Sequence, residues 1–369
     1  MLVHAKRDEL LTLAAQAGKA VPKKTSEEEL KGIHIDADAR RSVVTMTSTN
    51  HEIVIRTTMG AVVEQSGSAV INASLFSALL ALLPEEDVDL ELLRPTQIHI
   101  HSGTCDYHLS VLPGEKYPMP ELPFPDDTVP VSGICTLARN TLFAASEDNN
   151  NAVLRCIRLV LGAGGLTASG TNGFCIVEAE GDKNCTGEVQ MLLPARSLKV
   201  LASLSLDSDV YEMGLTGNSV VFWNGSMLFS ARLMKGRFPD TTGLINRFQP
   251  EYSVHVDAAE LARAIDTVST FSGQERRMEM AFGEHQLYVS ALAGHGQASA
   301  PVNALILNAP DTPFYYNYDK LLDCLSVAKG KVTLEFDKKG LLVVRLKGVR
   351  YLQSPMRAPR KAASSQKAA

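Results

Sequence analysis

Asn72-Ala-Ser-Leu75, running on to Leu83 and then into Val88-Asp-Leu-Glu-Leu92, is written twice more along this chain in other words. The second copy is Pro194-Ala-Arg-Ser-Leu198 to Leu204, followed by Val210-Tyr-Glu-Met213. The third is Asn317-Tyr-Asp-Lys-Leu321 to Val327, followed by Val332-Thr-Leu-Glu-Phe336. Leu75, Leu198 and Leu321 fall 123 residues apart, and Val88, Val210 and Val332 fall 122 apart. Each copy reads as a short amphipathic helix, opened by a polar residue or Pro, that feeds an alternating strand. A repeat of that length is a domain rather than a solenoid unit, so the pattern predicts one fold used three times.

The rest of each copy agrees. Each opens with a short strand and a helix: residues 2–5 then 6–17, 129–134 then 136–146, and 252–256 then 257–269. Asp257 reads as an N-cap, with Glu260 completing a capping box. Between the helices lie alternating runs: Ser42-Val-Val-Thr-Met-Thr47, Glu52-Ile-Val-Ile-Arg-Thr57, Phe174-Cys-Ile-Val-Glu-Ala179 and Gln286-Leu-Tyr-Val-Ser290. They predict half-buried antiparallel strands. Two more strands joined by a turn follow the second helix: 97–101 with 107–111, 219–223 with 227–233, and 341–346 with 350–353. The fold class is therefore α+β, each repeat placing two helices on antiparallel sheet. Pro- and acid-rich linkers at 118–127 and 248–251 divide the chain into domains 1–127, 128–249 and 250–358. The basic tail 359–369 has no large apolar residue and is expected to be disordered.

The 369 residues are 45% hydrophobic and 21% charged, enough to bury real cores. No apolar run approaches the ~20 residues of a membrane span, so no membrane partner is expected. Met1-Leu-Val-His-Ala-Lys-Arg7 lacks a long apolar core and a cleavage site, which points to a cytoplasmic location. Cys105, Cys135, Cys156, Cys175, Cys185 and Cys324 form no Cys-x-x-Cys pair, as expected of free thiols in a reducing compartment. A net charge of −5 opposes nucleic-acid binding only if the basic residues are evenly spread. A segregated positive surface would still attract phosphates.

Few motifs carry chemistry. Ile98-His-Ile-His101 puts two imidazoles on one strand face, but no third ligand is apparent and Cys105 lies beyond a turn, so no metal is expected. Gly162-Ala-Gly-Gly165 reads as a hairpin turn, since a phosphate loop would need a following helix and a Lys-Ser/Thr pair. There is no Gly-x-Ser-x-Gly and no His-Glu-x-x-His, and the acidic runs 27–29 and 85–87 read as solvated. No catalytic residue and no cofactor are expected. Each repeat closes on a Pro motif: Gly114-Glu-Lys-Tyr-Pro118, Lys235-Gly-Arg-Phe-Pro-Asp240 and Ser354-Pro-Met-Arg357.

With Ser48-Thr-Asn-His-Glu-Ile-Val-Ile55, Asn317-Tyr-Asp-Lys-Leu-Leu-Asp-Cys-Leu325 and Tyr351-Leu-Gln-Ser-Pro-Met-Arg357, the chain resembles the bacterial DNA polymerase III beta subunit, the replicative sliding clamp. The likeness covers about residues 1–358. It implies a head-to-tail homodimer whose six similar domains close a ring on double-stranded DNA, helices lining the hole and sheets forming the wall. It also implies a non-enzymatic processivity subunit, which needs loose, sequence-blind phosphate contacts. Lys6, Arg7, Lys23, Lys24, Arg139, Arg196, Lys199 and Arg263 are the candidates.

The resemblance further implies a pocket for short peptides of the DNA polymerase III alpha subunit, the clamp loader and repair proteins. Carried over residue by residue, it uses Leu154, Thr171, Gly173, Ile176, Pro239, Leu244, Asn317, Leu352, Pro355, Met356 and Arg357. Tyr107 and Leu109 on an edge strand, opposite Phe271, are the expected dimer interface. The family's Thr-Asp-Gly-x-Arg-Leu stands here as Thr171-Asn-Gly-Phe-Cys-Ile176, and Gly243 takes a position that is usually basic. These departures bear on partner choice. A clamp-fold scaffold or paralogue outside chromosomal replication is one alternative, and a nucleic-acid-processing enzyme on repeated α+β domains is another.

Overall fold

Side-chain caps start four of the helices where the sequence announces them. The computed structural model describes residues 1–359 apart from 123, 148, 149, 186, 294 and 295, and only the backbone of 293. The remainder of the expected tail, 360–369, lies outside the described residues. The helices are α1 (Arg7–Ala17), α2 (Ala73–Leu82), α3 (Ile134–Thr141), α4 (Ala195–Leu204), α5 (Thr241–Asn246), α6 (Ala258–Ser269) and α7 (Tyr318–Ser326). Asn72 accepts the Leu75 N–H, Asp240 that of Gly243, Asp257 those of Ala259 and Glu260, and Asn317 that of Lys320. Such caps satisfy amides that have no partner in the first helical turn.

Two local expectations need correction. Glu260 does not close a capping box; its carboxylate accepts instead from the Asn303 amide (2.9 Å) and Nδ2 (3.1 Å). The strand expected over 129–134 ends at Val131, because Gly133 turns the chain with φ +69° and α3 begins at Ile134.

The chain divides into two compact units: Met1–Cys135 with Arg196–Met234, and Thr136–Ala195 with Lys235 onward. The first unit holds a five-stranded sheet in the order Val62–Gln65, Leu2–Lys6, Asp87–Arg94, Gln97–Ser102, Cys105–Ser110. It also holds a nine-stranded sheet running Leu112–Pro113, Gly67–Asn72, Gly32–Asp38, Val43–Thr49, Ile53–Gly60, Met227–Arg232, Ser219–Trp223, Tyr211–Thr216, Val129–Val131. The second unit holds one twelve-stranded sheet. Its order is Val189–Pro194, Cys156–Gly162, Gly165–Thr171, Cys175–Glu180, Val349–Gln353, Leu342–Leu346, Lys331–Phe336, Tyr252–Asp257, Gly296–Asn308, Gln286–Ala293, Arg277–Phe282, Phe314–Asn317. Every pairing is antiparallel, and the α+β class read from the sequence holds.

The same four-strand orders recur in all three repeats. In the middle repeat, for example, Val189–Pro194, Cys156–Gly162, Gly165–Thr171 and Cys175–Glu180 follow one another as Gly67–Asn72, Gly32–Asp38, Val43–Thr49 and Ile53–Gly60 do in the first. Neighbouring repeats are spliced edge to edge. Ile53–Gly60 pairs Met227–Arg232 with Ile55 opposite Phe229, and Cys175–Glu180 pairs Val349–Gln353 with Ile176 opposite Leu352.

In the first unit α1 and α2 bury Leu10, Ala14, Phe76 and Leu80 against Val3, Ile33, Ile35, Leu90, Ile98 and Ile100. Each such Leu, Ile, Val or Phe side chain contributes roughly 1.5–3 kcal/mol. In the second, α6 and α7 pack together and bury Leu261, Ile265, Val268 and Leu321. None of the six cysteines is in a disulfide. Among the described residues no helix is long and apolar enough to cross a membrane.

Candidate functional site

The splice between Cys175–Glu180 and Val349–Gln353 lies at an apolar cluster within the second unit. Ile176 and Leu352 join Ile245 and Val343 there, with Phe248 and Leu341 packed against them. The hairpin ahead of Ile176 is tied by its own side chains. Asn172 Oδ1 accepts the amides of Phe174 and Cys175, both at 2.9 Å, while Thr171 Oγ1 accepts from Gly173 and donates to the Cys175 carbonyl. Gly173 sits at φ +90°, which only glycine adopts cheaply. The turn leaves Phe174 75% exposed. The segment after the last strand is fixed on either side: the Ser354 amide donates to Phe174 O and that of Met356 to Tyr315 O.

Short helix α5 forms the other wall. Phe238 is buried and Pro239 exposed, and the Asp240 cap then turns Leu244 outward, half exposed, and Ile245 inward. Glu178 holds this helix on the sheet. Its Oε1 accepts from Thr241 Oγ1 (3.2 Å) and Thr242 Oγ1 (2.6 Å), and its Oε2 accepts from Arg350 (2.8 Å), which also reaches Asn246. Neither Glu178 nor Arg350 stood out in the sequence, because their partners come from three separate segments. Glu178→Ala leaves two hydroxyls and a half-exposed guanidinium without their acceptor. The expected cost is about 2 kcal/mol, read as a lower denaturation midpoint with unchanged m-value.

Of the expected pocket residues, Thr171, Gly173, Ile176, Pro239, Leu244, Leu352, Pro355, Met356 and Arg357 all fall on the cluster, its hairpin, α5 and the turn before it, or the segment after the last strand. Asn317 is linked to this end of the sheet by Gln353 Nε2, which donates to its carbonyl at 2.8 Å. Leu154 lies in the short turn Ala152–Arg155, whose Val153 lies against Gly236 of the Phe-Pro-Asp motif. The departures from the family pattern have a physical reading. Cys175 is fully buried, and burial pushes its thiol up to about 11, so it serves the core rather than the pocket. A Cβ on Gly243 would stand 2.0 Å from Asp240 Oδ2, on the same carboxylate whose Oδ1 accepts the Gly243 amide and caps α5.

The candidate DNA contacts fall into two kinds. Lys6 pairs with Asp87 at 2.8 Å, Arg7 with Asp8 and the Leu83 carbonyl at 3.0 Å, and Arg196 with Glu52. Lys23, Lys24, Lys199 and Arg263 are exposed and form no ion pair among the described residues, and Arg139 is exposed on α3. Tyr107 and Leu109 lie on the terminal strand of the five-stranded sheet and pack half-buried against the core side. Phe271 is 37% exposed with a ring carbon 3.1 Å from where a Gly296 Cβ would stand. The expectation of no third ligand beside His99 and His101 is corrected: Asp106, across the hairpin, accepts from both.

Sequence models of the DNA polymerase III beta subunit match this chain twice, the N-terminal domain over residues 1–123 and the central domain over 128–240. A beta sliding clamp of Staphylococcus aureus is 25% identical over 350 residues, covering 90% of this chain and 91% of that protein. The DNA polymerase sliding clamp of Bacillus subtilis has a crystal structure that superimposes with a TM-score of 0.88 at 22% identity. The beta subunit from the DNA polymerase of Streptococcus pyogenes gives 0.90 at 18%. Each covers 97% of this chain and 100% of its own.

Proposed function

This chain belongs to the DNA polymerase III beta subunit family, and on that footing we propose that it is a sliding clamp. It encircles double-stranded DNA as a head-to-tail homodimer, tethers its partners and has no catalytic role. Its three domains are 1–127, 128–249 and 250–358, and it acts in the cytoplasm.

One observation carries this reading. Two splices join repeat to repeat inside the chain, and the strand edges that would make a third remain open. Cys105–Ser110 ends its sheet, and residues 296–303 pair Gln286–Ala293 on one side with no strand on the other among the described residues. These edges are the counterparts of Met227–Arg232 and Ile53–Gly60, which pair in the first splice. An open edge is a template for pairing with another chain. A second copy fills both edges, and a head-to-tail contact that closes at two copies makes a ring rather than a filament. Tyr107, Leu109 and Phe271 then lie at each junction.

A ring holds DNA by topology, so it needs phosphate contacts that slide. The exposed Lys23, Lys24 and Lys199 suit that role, with Arg139 and Arg263 as further contacts and the ion-paired Lys6, Arg7 and Arg196 as weaker ones. Replacing Lys23, Lys24 and Lys199 by Ala is expected to flatten the slope of log K against log salt by about 2–3 in duplex binding. The apolar cluster at Ile176 and Leu352 takes short peptides of the DNA polymerase III alpha subunit, the clamp loader and repair proteins.

The deciding experiment loads the protein on nicked circular DNA and then cuts the circle. Retention on the circle with release after cutting is expected. Equal retention on both forms would instead favour a one-sided scaffold, and turnover of the DNA an enzyme.

A further inference from the structure

The outer face of the five-stranded sheet carries two rows of imidazoles and carboxylates, one of them strictly alternating. Val3, Leu90, Ile98 and Ile100 point into the core, so the residues that alternate with them face outward. In one row His4 stands opposite Asp89, Asp89 opposite His101, and His101 opposite Asp106. In the other Glu91 stands opposite His99 and His99 opposite His108. At the sheet edge both His99 Nε2 (2.8 Å) and His101 Nδ1 (2.9 Å) converge on the single oxygen Asp106 Oδ1.

We propose that His99 Nε2, His101 Nδ1 and Asp106 Oδ1 bind one divalent transition-metal ion of the zinc class, with a solvent position left open. The three donor atoms lie within 4.8 Å of one another. A tetrahedral ion with bonds of ~2.0–2.1 Å needs donors about 3.3 Å apart, a small opening from the present hydrogen bonds. Surface side chains on a hairpin can make it by rotation. Two imidazoles and a carboxylate select zinc, cobalt, nickel or copper over magnesium and calcium, which prefer all-oxygen shells.

The surroundings fit the same role. Glu91 Oε2 stands 3.9 Å from His99 Nδ1, the nitrogen that must carry the proton when Nε2 binds metal. At that distance the carboxylate makes no hydrogen bond, but its charge favours the proton on Nδ1. The His108 ring stacks on His99, centroids 4.7 Å apart and planes at 17°, holding it from the side. A neutral imidazole moves its proton to the other ring nitrogen on binding, and a protonated one releases a proton to solvent. The ion ties Gln97–Ser102 to the open-edge strand Cys105–Ser110. The proposal stands independently of the clamp reading.

The test titrates full-length protein with zinc chloride by calorimetry and with cobalt chloride by visible absorption. One ion per chain and an intense tetrahedral-type cobalt band are expected. H99A, H101A and D106N should each weaken zinc by about tenfold or more, with melting curves showing that the fold is kept. Zinc should raise the melting temperature of the parent protein and not that of D106N. H4A, at the far end of the row, should bind as the parent does. Substoichiometric binding, unchanged affinity in the three variants, or loss of binding in H4A would each overturn the assignment.

Discussion

Phe271→Asp is expected to convert the proposed dimer into monomer at micromolar chain concentration and to abolish retention on circular DNA. Phe271 follows α6, where the chain has left the buried face made by Leu261, Ile265 and Val268, and its ring rests on Gly296 at the start of the open edge. Burying a Phe side chain is worth roughly 1.5–3 kcal/mol, and a carboxylate in its place must also lose water. About 3 kcal/mol per junction, felt at both junctions of a two-membered ring, corresponds to roughly a 10⁴-fold weaker dimer. The monomer should keep its fold with a modestly lower melting temperature, because the partly exposed ring gives up its packing on Gly296. Sedimentation velocity over a concentration series reads the result. A variant that sediments as the parent protein does would remove this residue, and the pairing of the two open edges with it, from the assembly.

The repeat and the caps could be read in the sequence because both are local. Leu and Val recur at a fixed interval, and Asn72, Asp257 and Asn317 cap amides two or three residues away. The splices could not. Ile55 meets Phe229 and Ile176 meets Leu352 across more than one whole repeat, and no period in the chain specifies which edge a strand chooses. Glu260 shows the same limit at small scale, since spacing suggested its own helix start and the fold supplied Asn303 instead.

Asp106 was within reach. The tight turn at Gly103 that set Cys105 aside as a ligand also pairs Ser102 with Cys105, and therefore His101 with Asp106 and His99 with His108. Hairpin register fixes cross-strand neighbours once the turn length is known. The candidate pocket was legible only through family likeness. Its residues come from hairpin, helix and chain end, and nothing in their local patterns distinguishes a wall from ordinary core.

Removing residues 354–369 is expected to weaken peptide binding by about 10²–10⁴-fold, whereas removing 359–369 should change it less than twofold. Both truncations lose the basic end, and only the longer one loses Pro355, Met356 and Arg357. Met356 is held in place by its amide bond to Tyr315 O, and it is half-buried where the chain passes the Phe174 turn. Methionine adapts its shape to different anchors, which suits a pocket shared by several peptides. Two apolar contacts at roughly 1.5–3 kcal/mol each account for the loss. Leu244→Ala, on the opposite wall, should cost about tenfold by the same reasoning. Fluorescence anisotropy with a short peptide carrying Leu and Phe anchors measures all three, and sedimentation should show the dimer intact in each. A longer truncation that binds like the full chain would move the peptide site off this cluster. At the micromolar affinity expected of an exchangeable peptide, near −8 kcal/mol, there is room for only a few such anchors, so losing one wall must be felt.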